Sequence, residues 1–431
     1  MSASVLQRPI GFSPAEISAM INEVVVKQHA EEAAFLWTQR DRGVAAPNFR
    51  LKDLARWDER VEAHLDGLRV AGQFGWQLCE KALEEGGPGE VFAAGVLAFG
   101  SGDSDRIKAV LKAGASEPKL QRALISALGW LSFSNVKDVI NQLLSSELPG
   151  VRCVGIGACA VHRRDPGPAL ARALTDPDPR LRARALKACG ELGKTGLMEP
   201  MLESLSSADI ACRLFAAWSP ARLGNRSPEV LRVLREIALQ PGPYSERALG
   251  MALRVMELQE AKAWQRQLRN DSTRLRLAAV AAGIIGDPGL VEDLIQLMRL
   301  PPVARIAGAA FSMTTGVDLA YDDLDVDPPE GFEAGPNENP EDENVALDPD
   351  ENLPWPGPDL VAAWWKKNAN KFIAGKRHLY GKVIDDAALR ETVAKGYQPQ
   401  RAAAALELAL RQPTQPLFEV RTRGGLQSVK S

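Results

Sequence analysis

Between residues 87 and 317 apolar positions recur at helical spacing in short blocks. In the block from Pro179, residues Leu181, Ala185, Cys189 and Leu192 fall at i, i+4, i+8 and i+11, one face of a helix. Leu197, Met201 and Leu205 make a second apolar stripe just after it. The openings Asp176-Pro177, Asp178-Pro179 and Ser116-Glu117-Pro118 suit a capping residue followed by proline in the first turn. The same block reappears along the chain as PKLQRALISALGWL from Pro118, PGVRCVGIGACAVH from Pro149, TRLRLAAVAAGIIG from Thr273 and PVARIAGAAFSMTTG from Pro302. More divergent copies start at Ala208 and Pro243. One arginine runs through all seven, at Arg122, Arg152, Arg182, Arg213, Arg247, Arg276 and Arg305, with spacings of 30, 30, 31, 34, 29 and 29. An eighth copy, from Gly89, puts Phe92 where the arginine would stand. Three residues after the arginine comes Gly155, Ala185, Ala216, Gly250, Ala279 or Gly308, with Ile125 the exception. A small residue at a fixed place lets neighbouring helices approach closely. A lone hairpin of this size cannot bury its apolar faces, so the copies must stack. The pattern predicts eight helical pairs in a right-handed α-solenoid whose concave face is made by the second helices.

The flanks are helical without the repeat. Ser13-Pro14-Ala15-Glu16 reads as a helix start, with the helix running to about Arg42 and broken by Gly43 to Asn48. A second helix is predicted from Leu51 to Val70, with Leu54, Trp57, Val61, Leu65 and Leu68 inward, and a third from Phe74 to Leu83. At the other end Asp359 opens a helix containing Trp364 and Trp365, and further helices are expected at 386–395 and 399–411. Two adjacent tryptophans point about 100° apart on a helix, so one should face the core and the other a surface. The ending PLFEVRTRGGLQSVKS reads as extended. The domain boundaries that follow are 1–86, 87–317, 318–358 and 359–431.

The net charge of −3 hides an asymmetry. Asp318 to Asn352 holds 14 acidic residues and no Lys or Arg, leaving 41 acidic against 52 basic residues elsewhere. Pro328-Pro329, Gly335-Pro336, Pro340 and Pro349 exclude regular helix or strand here. Such a strip is either a solvated linker or an arm that docks on a basic surface, its own or a partner's. Its interspersed Leu324, Val326, Phe332 and Leu347 favour docking, since a solvated tether has little use for them. The expected partner-binding residues are therefore Asp322, Asp323, Leu324, Asp325, Val326, Asp327, Glu330, Phe332 and Glu333, together with Trp355, Trp364 and Trp365. For the tryptophans the alternative is a packed cluster anchoring the end of the array. For the arginine row, a phosphate-binding reading competes with arginines that cap or pair within the repeats. The second is favoured, because a residue present in every repeat usually serves the repeat.

Composition narrows the chemistry. The chain has 431 residues, 45% hydrophobic, with five scattered cysteines, no CxxC and four histidines. A disulfide framework and a zinc site are both disfavoured, and a reducing compartment fits. The longest run without an ionisable residue, Ala123 to Val136, is too short to span a bilayer. The first residues lack the charged and apolar regions of a signal peptide, so a cytoplasmic location is expected. No phosphate-binding loop, dinucleotide fingerprint, HExxH or nucleophile elbow is present. His29 with Glu32 and Trp37, or His64 with Asp66, could be drawn as sites, but a lone helical histidine is usually a surface or capping residue. No cofactor, metal or enzymatic activity is expected.

The repeat resembles the HEAT-like class in its short form of about thirty residues. Its pattern D-P-x-x-R-x-x-A-x-x-A-x-G is loosely met at Asp178, Pro179, Arg182, Ala185, Ala188 and Gly190. The fold class is thus all-α, an α-α superhelix of HEAT-like repeats with flanking helical regions and an acidic irregular segment. The stretch HAEEAAFLWTQRDRGVAAPNFRLKDLARWDERVEAHLDGLRVAG, the array, and GYQPQRAAAALELAL together resemble a proteobacterial HEAT-repeat family found beside type VI secretion effectors. That resemblance implies an immunity protein for a toxic effector, with a loading adaptor or chaperone as the alternative. If the toxin is a nuclease, immunity would act in the cytoplasm. Direct nucleic-acid binding by the repeats is a third reading, weakened by the mixed charges. A HEAT-like pigment lyase is a fourth, with no cue beyond the repeat.

Overall fold

The computed structural model describes residues 22–332, 334–335 and 348–427. The expected helix start at Ser13 to Glu16 lies outside them. The fold is an all-α helical-repeat superhelix. Among the described residues there are two strands, each of two residues, β1 (His378–Leu379) and β2 (Lys382–Val383). The chain divides into two compact units, Met1–Gln39 with Trp57–Val136, and Arg40–Arg56 with Lys137–Ser431.

The first unit is built from α1 (Glu23–Gly43) and α2 (Leu51–Val70), which both cross its boundary, with α3 (Gly72–Ala82), α4 (Pro88–Ser101), α5 (Ser104–Gly114) and α6 (Pro118–Trp130). Helix α4 is buried nearly all round, because two glycines allow close neighbours. A Cβ on Gly95 would stand 2.9 Å from Ala127, and one on Gly89 would run into the Ala34 carbonyl. Phe92, which replaces the repeat arginine, stacks on Trp37 at 4.6 Å and meets Trp130 edge-on at 5.3 Å. An aromatic core thus substitutes for the polar pairing found in later repeats.

After α7 (Phe133–Leu144), the second unit carries the regular array. Its first helices are α8 (Pro149–Val161), α10 (Pro179–Leu192), α12 (Ile210–Arg222), α14 (Ser245–Val255), α16 (Leu275–Ile285) and α18 (Ala304–Thr315). Each packs on the next in sequence. The intervening helices are α9 (Pro168–Leu174), α11 (Met198–Leu202), α13 (Pro228–Ala238), α15 (Leu258–Arg269) and α17 (Val291–Met298). Asp178 caps α10 by accepting from the Arg180 and Leu181 amides at 2.8 and 3.1 Å, as the Asp-Pro opening predicts. The small residue three places after the arginine is buried at every one of these repeats. At Gly308 a Cβ would meet Leu319 at 2.9 Å, so close approach is required there. Ala185 is fully buried, and Ala185→Trp is expected to overpack this contact by about 1–3 kcal/mol or more, read as a lower urea midpoint.

Eight pairs were expected between 87 and 317. The structure places seven pairs and a final first helix, α18, in that stretch. Helix α19 (Pro358–Asn368) packs against α17, and its Trp364 meets Phe311 of α18 edge-on at 5.7 Å. It thus takes the place of a second helix, and the acidic strip is an insertion within the last hairpin.

The C-terminal region follows with β1, β2, α20 (Asp386–Lys395) and α21 (Gln398–Arg411). It lies along the C-terminal ends of the first helices in reverse order. Tyr380 and Gly381 donate to Met313 and Thr314 of α18, and His378 donates to Gly286 after α16. Glu407 pairs with Arg254 of α14 at 3.1 Å. Arg222, fully buried at the end of α12, donates to the Pro413 and Gln415 carbonyls. Leu417 donates to the Glu191 carbonyl of α10 at 2.8 Å. Each helix end leaves carbonyls without intrahelical partners, and this region supplies donors to many of them.

Candidate partner-binding surface

The acidic insertion begins where Gly316 ends α18 in a left-handed conformation, φ +74°. Val317, Leu319 and Leu324 turn inward and are buried. A tight turn holds the segment between them. Asp322 donates its amide to the Asp318 carbonyl at 2.8 Å, and Leu324 does the same to Leu319 at 2.8 Å. The outgoing leg then pairs with the returning one: Val326 donates to Trp355 at 2.9 Å and Gly357 to Leu324 at 2.8 Å. Buried Leu324 therefore pins the strip, while Asp322, Asp323, Asp325, Asp327 and Glu330 are exposed beside the exposed Val326. None of these five carboxylates has a cationic partner among the described residues. Glu333 lies outside those residues.

The returning leg behaves differently. Asp350 is buried and takes two hydrogen bonds from Arg276, at 2.7 and 2.9 Å. Arg305 reaches the Asp350 carbonyl at 3.0 Å and the Asp348 carboxylate at 2.5 Å. Burial would raise the Asp348 carboxyl, but the Asp350 amide and Arg305 outweigh it and bring it below the usual range. The Arg305 guanidinium also lies 5.6 Å from the Phe332 ring and 5.5 Å from Trp355, which meet each other at 4.7 Å. This end of the strip is docked on the chain's own arginines. Trp365 is buried and lies 5.2 Å from Phe372, while Trp364 is half-buried against Phe311. Trp355 and Phe332 thus pack within the strip, whereas Trp364 and Trp365 pack against Phe311 and Phe372.

Two residues of this face were not anticipated. Tyr321 is 85% exposed and Leu360, at the start of α19, is 43% exposed. Val326 and Leu360 both lie about 3 Å from where a Gly357 Cβ would stand, so they form one apolar spot. Tyr321 was visible as an aromatic next to Asp322-Asp323. Leu360 carried no signal, because its nearness to Val326 comes from the strand-like pairing of the two legs.

Along the remaining repeats the arginines serve the fold. Arg152 donates to the Ser146 and Glu147 carbonyls and pairs with Asp176 at 2.6 Å, and Arg182 donates to the Asp176 carbonyl. Arg213 pairs with Glu236 in the second helix of its own repeat at 2.9 Å. Arg247 lies 5.7 Å from the Phe215 ring.

The cysteine thiols lie within the fold. All five cysteines are buried, and none is joined in a disulfide. Burial pushes the Cys79 and Cys189 thiols up to about 12 and those of Cys153, Cys159 and Cys212 to about 11, so thiolate is scarce at neutral pH. Among the described residues no group of three or more His, Cys, Asp or Glu is placed to hold a metal. His29 and His64, separate in the sequence, meet with their Nδ1 atoms 3.0 Å apart. Burial and the neighbouring His29 lower the His64 pKa. No helix among the described residues is long and apolar enough to cross a membrane.

No curated protein matches the chain. Residues 167–254, from the turn before α9 to the end of α14, match the family model of HEAT repeats, which serve generally as non-enzymatic scaffolds for protein–protein interaction.

Proposed function

We propose that this protein is a scaffold that binds a partner with a basic surface, and that it acts as a cytoplasmic immunity protein against a toxic type VI secretion effector. The observation that carries the reading is the five exposed carboxylates from Asp322 to Glu330, which have no cationic partner among the described residues and stand beside Tyr321 and Val326. Uncompensated charge speeds encounter with an opposite surface, and adjacent apolar groups hold the complex once water leaves. A nuclease toxin has such a surface by necessity, because it binds a polyanion. The effector and its secretion context rest on the family resemblance of the flanking helices and of the array.

Co-expression with the toxin encoded beside the gene is expected to restore growth of intoxicated cells. A complex without rescue would favour the loading-adaptor reading. A variant with Asp322, Asp323, Asp325 and Asp327 changed to Asn and Glu330 to Gln keeps Leu324 and the leg pairing. Its affinity for the toxin is expected to fall at least tenfold at low salt, with a shallower salt dependence. Unchanged affinity would move the interface to another face.

A further inference from the structure

Beside the acidic turn, a cleft of about 480 Å³ opens between the end of α18, the returning leg of the strip and the start of α21. Its walls include Met313, Leu319, Leu353 and Pro354, and Asp318 and Glu351 also line it. Asp318 is fixed in place. It accepts the Tyr397 hydroxyl and lies 3.8 Å from Arg50, whose guanidinium stacks 4.3 Å over the Tyr397 ring. Glu351 is exposed and has no cationic partner among the described residues. Asp322, whose carboxylate accepts the Asp318 amide at 3.1 Å, adds a further negative charge beside the cleft. Arg50, the cation beside Asp318, is already engaged with the Tyr397 hydroxyl at 3.1 Å.

We propose that this cleft is the anchor pocket for an arginine side chain of the partner, an inference that rests on the basic-partner reading above. An apolar wall with carboxylates among its lining residues matches a side chain that is aliphatic along its stem and cationic at its head. Glu351, with both oxygens uncommitted, offers a planar guanidinium two parallel hydrogen bonds, which an ammonium cannot make. The volume suits one such side chain with an apolar neighbour, and binding energy concentrates where an anchor side chain fills a pocket.

The test uses the full chain and three dodecapeptides, alternating leucine with arginine, lysine or glutamine, with affinity read by fluorescence anisotropy. The arginine peptide is expected to bind at least fivefold more tightly than the lysine peptide. Glu351→Gln is expected to remove that preference, and Ser312→Phe, which fills the cleft, to weaken the arginine peptide about tenfold at unchanged salt dependence. Neutralising Asp322 to Glu330 should weaken both cationic peptides while keeping the arginine preference. Glu351 is exposed, so its substitution tests the pocket even if Ser312→Phe perturbs folding. Should Glu351→Gln and Ser312→Phe bind like the parent while strip neutralisation abolishes binding, the pocket is refuted and the acidic-surface reading stands. Equal binding of the arginine and glutamine peptides would overturn both. Full competition by acetyl-arginine amide at the concentration of peptide that half-saturates would make this a small-cation site instead, and would overturn the proposal.

Discussion

Replacing Glu191 by alanine is expected to lower the unfolding free energy by about 3–5 kcal/mol, the cost of leaving partners of a buried ion pair uncompensated. Glu191, near the end of α10, is 3% exposed and pairs with Arg184 at 2.6 Å. Arg421 from the C-terminal segment stands 3.8 Å from it and 2.6 Å from Glu419, which is also buried. Arg163 of the preceding repeat reaches Glu419 at 3.3 Å. Burial alone would raise the Glu191 carboxyl, but Arg184, Lys187, Arg163 and Arg421 outweigh it and hold it well below the usual range. For Glu419 burial is likewise opposed, chiefly by Arg421 and then Arg163, and the carboxyl falls to about 2 from 4.5. Both folded values lie below the unfolded ones, so the stabilisation is fully present above pH 4.5 and is lost as pH falls toward 2. Urea unfolding of the parent should therefore weaken between those pH values, and Glu191→Ala should show a smaller loss over the same window. Lys187 provides the contrast. Burial, more than Glu191 can offset, draws its ammonium down to about 7. A base lowered in the folded state costs stability that grows as pH falls from 10.5 to about 7 and is complete below it, so Lys187→Met is expected to leave the urea midpoint at pH 6 unchanged or raised.

Gly286→Val is expected to cost about 3 kcal/mol or more and to release residues 372–384 from the array. Gly286 sits just past α16 at φ +66°, where a side chain is strained. Its Cβ would also fall on the carbonyl oxygen of His378. That approach lets His378 donate to the Gly286 carbonyl at 2.7 Å, while Arg377 donates to the Ile284 and Ile285 carbonyls at 3.2 Å each. Hydrogen exchange should show lost protection at Tyr380 and Gly381, with α8 to α12 unchanged. Gly102→Ala is the control. Gly102 has φ +69° but nothing within 4 Å of its Cβ, so only the backbone term applies, about 1 kcal/mol. Equal losses for the two variants would mean that the close approach to His378 contributes nothing.

Arg421 beside Glu191, Arg163 on Glu419 and His378 on Gly286 are contacts between residues far apart in the chain, and none was visible in the sequence. The acidic strip shows the same division. Its charge, prolines and interspersed hydrophobes were readable. That Asp348 and Asp350 would settle on Arg305 and Arg276, while Asp322 to Glu330 met no cation among the described residues, was not. Leu324 and Val326 are two residues apart and equally apolar, yet one is buried and the other is 44% exposed. Pairing with Trp355 and Gly357 decides which of them turns inward.

The repeats could be read from the chain alone because their signals are local. The spacing of Leu181, Ala185 and Cys189, the aspartate cap at Asp178 and the small residue after all but one of the arginines act within one turn or one hairpin, where periodicity maps directly onto a helix face. The meeting of His29 with His64, the aromatic stack of Phe92 with Trp37 and Trp130, and the C-terminal region laid across successive helix ends depend on pairs separated by tens to hundreds of residues. No local pattern encodes those distances. They arise when stacked hairpins leave carbonyls, gaps and charges that only a distant segment can satisfy, and the tertiary structure alone selects which segment does so.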